Sequence, residues 1–263
     1  MPPTSELFEQ LKHSVLKAGL CAMEHFGKDI SIETKQDGSK VSAADFAVNK
    51  ILHDELTLLN KDYAWLSEES PIEQNRLDAS HIWIIDPIDG TNGFLSHKPD
   101  WTIVAALIKE NSPVLAAVYN PVKQELYMAE KSKGAFLNDQ PIQVSNTRKL
   151  ENAHIISSKG HFNRSFLTEP KPANRSWKHS MAYRIALIAS GTADATISLT
   201  PKNDWDIAAA HLIIEEAGGN IGTHKGEPLL YNKQEIRHRS VVATTNHLYK
   251  PIIKKTSAAI SET

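Results

Sequence analysis

The run HIWII followed by DPIDGTNGF, residues 81–94, limits what this chain can fold into more than any other segment. The apolar stretch ending at Ile85 reads as a buried strand, and it ends on a carboxylate, Asp86, where the chain turns at once. Pro87 fixes φ and cannot extend a sheet, while Gly90 permits φ > 0 or close backbone approach. Two carboxylates three residues apart at a strand mouth, Asp86 and Asp89, can share a hard divalent cation such as Mg²⁺. The turn Gly90-Thr91-Asn92 then presents backbone N–H groups that suit a phosphate at a helix start. A metal pair beside an anion cradle points to phosphate-ester chemistry. For DPxD alone, a tight turn with an Asx cap is the commoner outcome.

The bulk properties narrow the class. With 263 residues, 41% of them hydrophobic and 23% charged, the chain suits one large soluble domain or two closely joined lobes. A net charge of −2 supplies no basic field for nucleic acid or an anionic membrane. The single cysteine, Cys21, excludes an internal disulfide and fits a reducing, cytoplasmic setting, and its apolar helical neighbours make it a packing residue. The N-terminus lacks a basic and then apolar leader, and no apolar run reaches the length of a membrane span. The twelve histidines form no HxxH or HExxH spacing, so a zinc site is not expected. Short basic clusters such as RHR (237–239) read as solvated faces.

Along the chain, Phe8, Leu11, Val15, Ala18, Ala22 and Phe26 recur at helical spacing up to Gly27. A short strand is expected over 30–34 and a loop over 35–40. Ser42 then caps a second helix, with Asp45 in capping-box position and Val48, Leu52, Leu56 and Leu59 as its buried stripe. YAWL (63–66) is a strand that ends in Glu68-Glu69, and strands over 101–108, 113–120, 125–130 and 134–139 form an antiparallel meander. This first lobe, residues 1–149, is read as two helices on an antiparallel sheet that carries most of the candidate ligands. A second lobe, 150–263, alternates strands (153–158, 194–199, 240–245) with helices (181–190, 206–217 and one from about 246) and carries Asp206 with the substrate contacts.

Asp45, Glu68, Glu69, Asp86, Asp89 and Asp206 all fall at a strand end or a helix start. Singly, Asp45 and Asp206 read equally as caps and Glu68-Glu69 as a solvated turn. Jointly they read as hard oxygen ligands for two or three Mg²⁺ ions. WIIDPIDGT (83–91), LSEES (66–70), DWDIAAAHLIIEEAGG (204–219) and VSAAD (41–45) closely resemble the signatures of the inositol monophosphatase superfamily of Mg²⁺-dependent, lithium-sensitive phosphatases. The order and spacing agree over roughly residues 35–220.

That resemblance implies a layered α-β-α-β-α sandwich, a homodimer, and a small phosphorylated metabolite as partner. Residue by residue, it implies one metal on Glu68, Asp86 and the Ile88 carbonyl, a second on Asp86, Asp89 and Asp206, and a weaker third near Glu68 and Asp45. Glu68 and the Thr91 hydroxyl would orient the attacking water, with Asp45 bonded to Thr91, while the N–H groups of Gly90, Thr91 and Asn92 face the phosphate. For the substrate, Leu199 stands where inositol phosphatases place a glutamate that contacts ring hydroxyls. TPKNDWD (200–206) resembles instead the stretch in bacterial 3′(2′),5′-bisphosphate nucleotidases, and adenosine 3′,5′-bisphosphate is the expected substrate. A Gly-Ser pair near the substrate in those enzymes stands here as His179-Ser180; Ser180 is expected to touch substrate and Arg184 to bind a second phosphate or to lie exposed on its helix. His161 is a further possible contact, or a surface-loop histidine. Inositol-1-phosphate or fructose 1,6-bisphosphate is the alternative substrate. A role as an RNA-polymerase or ribosomal-RNA processing factor is a more distant alternative, disfavoured by an intact metal-ligand set.

Overall fold

A computed structural model describes residues 5–35, 38–158 and 171–260, and His161 lies outside them. Five layers stack in the order α-β-α-β-α. The outer layer pairs α1 (Glu6–His25) with α2 (Ala43–Leu59). α1 starts where Ser5 accepts from Phe8 N–H and stops at Phe26, ahead of Gly27 at φ +79°. A hairpin of β1 (Ile32–Thr34), exposed, and β2 (Lys40–Ser42), which buries Val41 and Ser42, connects them.

The second layer is a seven-stranded sheet built in chain order from β3 (Ala64–Ser67), β4 (His81–Asp89), β5 (Thr102–Lys109), β6 (Ser112–Asn120), β7 (Glu125–Glu130), β8 (Gly134–Leu137) and β9 (Gln140–Ile142). All neighbours are antiparallel except β3 and β4, which run parallel, so the meander expected over 101–139 holds and the expectation of a wholly antiparallel sheet fails at the edge. Parallel pairing carries the C-terminal ends of β3 and β4 to the same rim, and with them Glu68 and Asp86. Both faces of the sheet are covered. Trp83 and Ile85 of β4 point to α1 and α2, whereas Ile82 and Ile84 point to the middle helices. That two-sided burial is why HIWII lacks polar alternation.

The middle layer is α4 (Met181–Ala189) and α5 (Asp204–Glu216), whose side chains are buried almost all round between the two sheets. The small α3 (Thr91–Leu95) follows β4. The second sheet orders its strands as β11 (Asn174–Ser176), β10 (His154–Ile156), β12 (Ala195–Ser198), β16 (Val241–Thr244) and β14 (Asn220–Gly222), and β13 (Lys202–Asn203) pairs with β15 (Arg237–His238) in a separate ribbon. The first three are mutually parallel and the last two antiparallel to their neighbours. β11 and β14, each three residues long, escaped the pattern because so short a segment shows no periodicity. α6 (Asn246–Ile260) closes the far face through Leu248 and Ile252 against Ile155, Ile197 and Val242. No helix among the described residues is long and apolar enough to cross a membrane.

Arg76 ties the first sheet's rim to the loop after β14. It is 1% exposed, and its guanidinium donates to Asn232 Oδ1 (2.5 Å) and the Lys233 carbonyl (2.9 Å). Arg76→Ala should lower unfolding free energy by about 2 kcal/mol, since two hydrogen bonds from a charged donor vanish and Asn232 loses a partner. Denaturant titration would read it; an unchanged midpoint would refute the role.

Candidate metal centre

Asp86, Asp89 and Asp206 each offer a carboxylate oxygen to one point, the three atoms lying within 4.8 Å of one another. β4 and its turn supply the first two. The strand does not end at Asp86, as the sequence suggested. It runs on through Pro87 to Asp89, with a register shift against β5 between the two aspartates. The shift has a physical cause: Pro87 has no N–H to give the ladder, so the chain bulges and both carboxylates reach the same side. The turn itself lies at Gly90, whose φ is +92° and where a Cβ would stand 2.9 Å from Ser180 N. Only glycine fits both demands.

Asp206 comes from the first turn of α5, where its Oδ2 accepts from Asn203 N–H (2.7 Å) in a capping box. Asp89 Oδ2 accepts from the Ser180 hydroxyl (2.6 Å) and Ala182 N–H (2.7 Å), and Asp86 Oδ1 from Ile88 N–H (3.0 Å). Thus each aspartate has one oxygen fixed by a donor. Burial pushes Asp86 well above the usual carboxylate range, with the charges of Glu68, Asp89 and Asp206 adding to it. Asp89 is raised to about 6, first by burial and then by Asp206, and Asp206 is raised chiefly by burial. Packing like charges in a dry rim is costly unless a cation joins them. The donor set, all hard oxygen, fits Mg²⁺.

Glu68 follows β3, its N–H bonded to the Ile85 carbonyl (3.2 Å), and burial raises it to about 7 against the opposing pull of Lys35. Lys35 Nζ meets Glu68 Oε1 at 3.3 Å and Glu69 Oε1 at 2.6 Å. Asp45 completes the cap of α2, accepting on Oδ2 from the Ser42 N–H (2.8 Å) and hydroxyl (2.6 Å). The bond expected between Asp45 and Thr91 is not made: the Thr91 hydroxyl donates to the Ile88 carbonyl (3.1 Å). A carbonyl has two lone pairs, so Ile88 keeps acceptor capacity.

Two expected substrate contacts are placed differently. Ser180 is fully buried; besides Asp89 its hydroxyl meets Thr102 Oγ1 (2.8 Å) and accepts from Tyr183 N–H, so it holds a ligand instead of facing the cleft. Arg184 is neither exposed nor unengaged. At 4% exposure it lies over the Trp177 ring (3.8 Å to the centroid) and donates to the Lys178 carbonyl from Nε (2.8 Å) and Nη2 (2.5 Å). Burial lowers its pKa to about 10, against the upward pull of Asp89. It still lines the cleft, about 380 Å³, together with Gly90, Thr91, Asn92, Lys202 and the carboxylates.

Several participants escaped the sequence reading. Lys202 and Asp204 lay inside the very stretch TPKNDWD that drew attention to Asp206. Asp204 is 1% exposed; it takes Asn232 N–H on Oδ2 (2.8 Å) and His238 Nε2 on Oδ1 (2.8 Å), which pins the start of α5. Lys35, Asp100 and Trp177 had no local signal, because distant segments bring them in, and His179 entered the sequence reading only as the neighbour of Ser180.

A sequence model described as the inositol monophosphatase family matches residues 4–261. An inositol-1-monophosphatase of Mesorhizobium japonicum is 30% identical over 268 residues, covering 98% of each chain. A 3′(2′),5′-bisphosphate nucleotidase CysQ of Haemophilus influenzae is 29% identical over 242 residues, covering 87% of this chain and 90% of that one. Among solved structures, an inositol monophosphatase of Thermotoga maritima superposes with a TM-score of 0.85 at 26% identity, covering 98% of this chain and 99% of that one.

Proposed function

Because the chain belongs to the inositol monophosphatase family, whose members are Mg²⁺-dependent phosphatases, we propose that it hydrolyses adenosine 3′,5′-bisphosphate as a bisphosphate nucleotidase. The observation that carries the substrate choice is the set of cations on the cleft wall, Lys40, Arg184 and Lys202, which the cleft holds alongside the carboxylates that would bind metal. A substrate with a second phosphate offers those cations a partner, and a monophosphorylated polyol does not. Leu199 supports the same choice, since an aliphatic side chain gives no acceptor to a ring hydroxyl.

Glu68, Asp86 and the Ile88 carbonyl would hold one Mg²⁺, Asp86, Asp89 and Asp206 a second, and Glu68 with Asp45 a third, hydrated one. Bound there, Mg²⁺ neutralises the ester's charge, acidifies a water and stabilises the leaving oxygen. The chain's own residues do the rest. Glu68 and the Thr91 hydroxyl orient the attacking water. The Gly90-Thr91-Asn92 turn gives N–H groups to the non-bridging oxygens. Ser180 and the Ala182 N–H keep Asp89 in place, and Arg184 and Lys202 balance the second phosphate.

The experiment is phosphate release from adenosine 3′,5′-bisphosphate, inositol-1-phosphate and fructose 1,6-bisphosphate in Mg²⁺. The bisphosphorylated nucleotide should show the highest kcat/KM. Preference for inositol-1-phosphate would overturn the substrate, and the rhizobial relatives named for that activity, at 30% and 34% identity, favour this second reading.

A further inference from the structure

We propose that His179 is the general acid of this enzyme, handing a proton to the ester oxygen that leaves phosphorus, with Asp100 as its positioning residue. The inference rests on the phosphomonoesterase reading of the same cleft.

His179 lies on the cleft wall beside Gly90, Thr91 and Asp89. Asp100, 7% exposed, holds it twice through one oxygen: Oδ2 accepts from the His179 backbone N–H (2.7 Å) and meets ring Nδ1 (2.9 Å). The Asp100 carbonyl also takes the next N–H, that of Ser180 (3.1 Å). One segment therefore fixes both the acid-holding His179 and the Asp89-holding Ser180. The ring is seated against α3, where a Cβ on Gly93 would stand 3.0 Å from His179 Cγ and 3.1 Å from Nδ1. A methyl at Gly93 would press directly on the ring.

A carboxylate on Nδ1 selects the Nδ1–H form and fixes the ring's orientation, as in other carboxylate–histidine pairs. Nε2, on the opposite side of the ring, has no hydrogen-bond partner among the described residues. The side chain keeps 29% exposure, enough for a substrate atom to reach it. The charged groups near it are Asp100 on the segment before β5, Asp89 at the end of β4 on the same cleft wall, and Arg184 on α4, whose Nη2 donates to the His179 carbonyl at 3.3 Å. Trp177 presents its ring edge-on at 6.4 Å, and Gly93 of α3 carries no charge.

In the step, the water oxygen bonds to phosphorus and the ester P–O bond breaks with its electron pair passing to the ester oxygen. The Nε2 proton moves to that oxygen and the alcohol leaves neutral. Imidazole, still bonded to Asp100 through Nδ1–H, is then reprotonated from solvent, which receives the proton released by the attacking water.

A general acid matters for a poor leaving group and not for a good one. His179→Gln should therefore lower kcat/KM about 10²-fold on an alkyl ester such as β-glycerophosphate, and leave p-nitrophenyl phosphate nearly unchanged. Asp100→Asn should show the same selectivity with a smaller loss, at a Mg²⁺ dependence equal to wild type. Equal losses on both esters, or none on the alkyl ester, would overturn the proposal while the phosphatase reading stands. Wild-type protein that hydrolyses neither ester in Mg²⁺ would overturn both together.

Discussion

Asp89→Asn is expected to lower kcat about a thousandfold in saturating Mg²⁺, some 4 kcal/mol of transition-state stabilisation, without unfolding the protein. The asparagine carbonyl can replace Oδ2 as acceptor for the Ser180 hydroxyl and Ala182 N–H, so the local frame has no reason to move. Its amide then replaces the other carboxylate oxygen, and an N–H donor in the cluster with Asp86 and Asp206 repels a cation. Without Mg²⁺, removing one charge from the cluster relieves repulsion, so the variant's melting temperature should equal or exceed that of wild type. Steady-state kinetics with paired thermal melts would decide it. Full activity would refute the metal centre, and a collapsed melting temperature would show that Asp89 serves the fold.

Chelation gives the second large effect: activity should vanish in EDTA, and stability should acquire a pH slope that Mg²⁺ abolishes. The sign follows from two groups. Glu68 rises from an ordinary 4.5 to about 7 and Asp89 from 3.8 to about 6 in the folded chain. The folded state thus binds protons that the unfolded state has released, so their contribution is favourable at low pH and is lost as pH rises through the folded values. Metal-free protein should melt higher at about pH 5 than at about pH 7. Mg²⁺ at a hundredfold excess over its Kd adds about 2.7 kcal/mol per site at the higher pH, which flattens or reverses the slope. Differential scanning calorimetry at the two pH values, with and without Mg²⁺, measures both. A melting temperature insensitive to pH in EDTA and to Mg²⁺ would remove the electrostatic account of the cluster.

Much of the fold was legible because its elements are long and patterned. The stripe Phe8, Leu11, Val15, Ala18 and Ala22 is the buried face of α1, and the stripe from Val48 to Leu56 that of α2. Strands β5 to β8 fell where apolar runs alternate with short turns. The parallel pairing of β3 with β4 was not legible, since pairing direction is set by where the connection lies in space. The extension of β4 past Pro87 was missed for the opposite reason: a local rule about proline was applied where a bulge satisfies it.

The site divides in the same way. Its carboxylates sit at strand ends and helix starts, addresses that composition and punctuation reveal, and Asp45 could be read as a cap from Ser42 three residues earlier. The sequence by itself determined the stripes of α1 and α2, the strands β5 to β8 and the glycine that Gly90's positive φ requires, because each is written in short-range periodicity or turn chemistry. The five-layer class and the expected metal-holding set Glu68, Asp86, Asp89 and Asp206 came from the resemblance of the signature segments to a known family. Only the tertiary structure decided what surrounds them. It turned Ser180 inward to Asp89, folded Arg184 onto Trp177, gave the Thr91 hydroxyl to Ile88, and set Asp100 against His179, 79 residues away. Those choices depend on which distant segments share one rim of the sheet, and no local spacing encodes a contact made across layers.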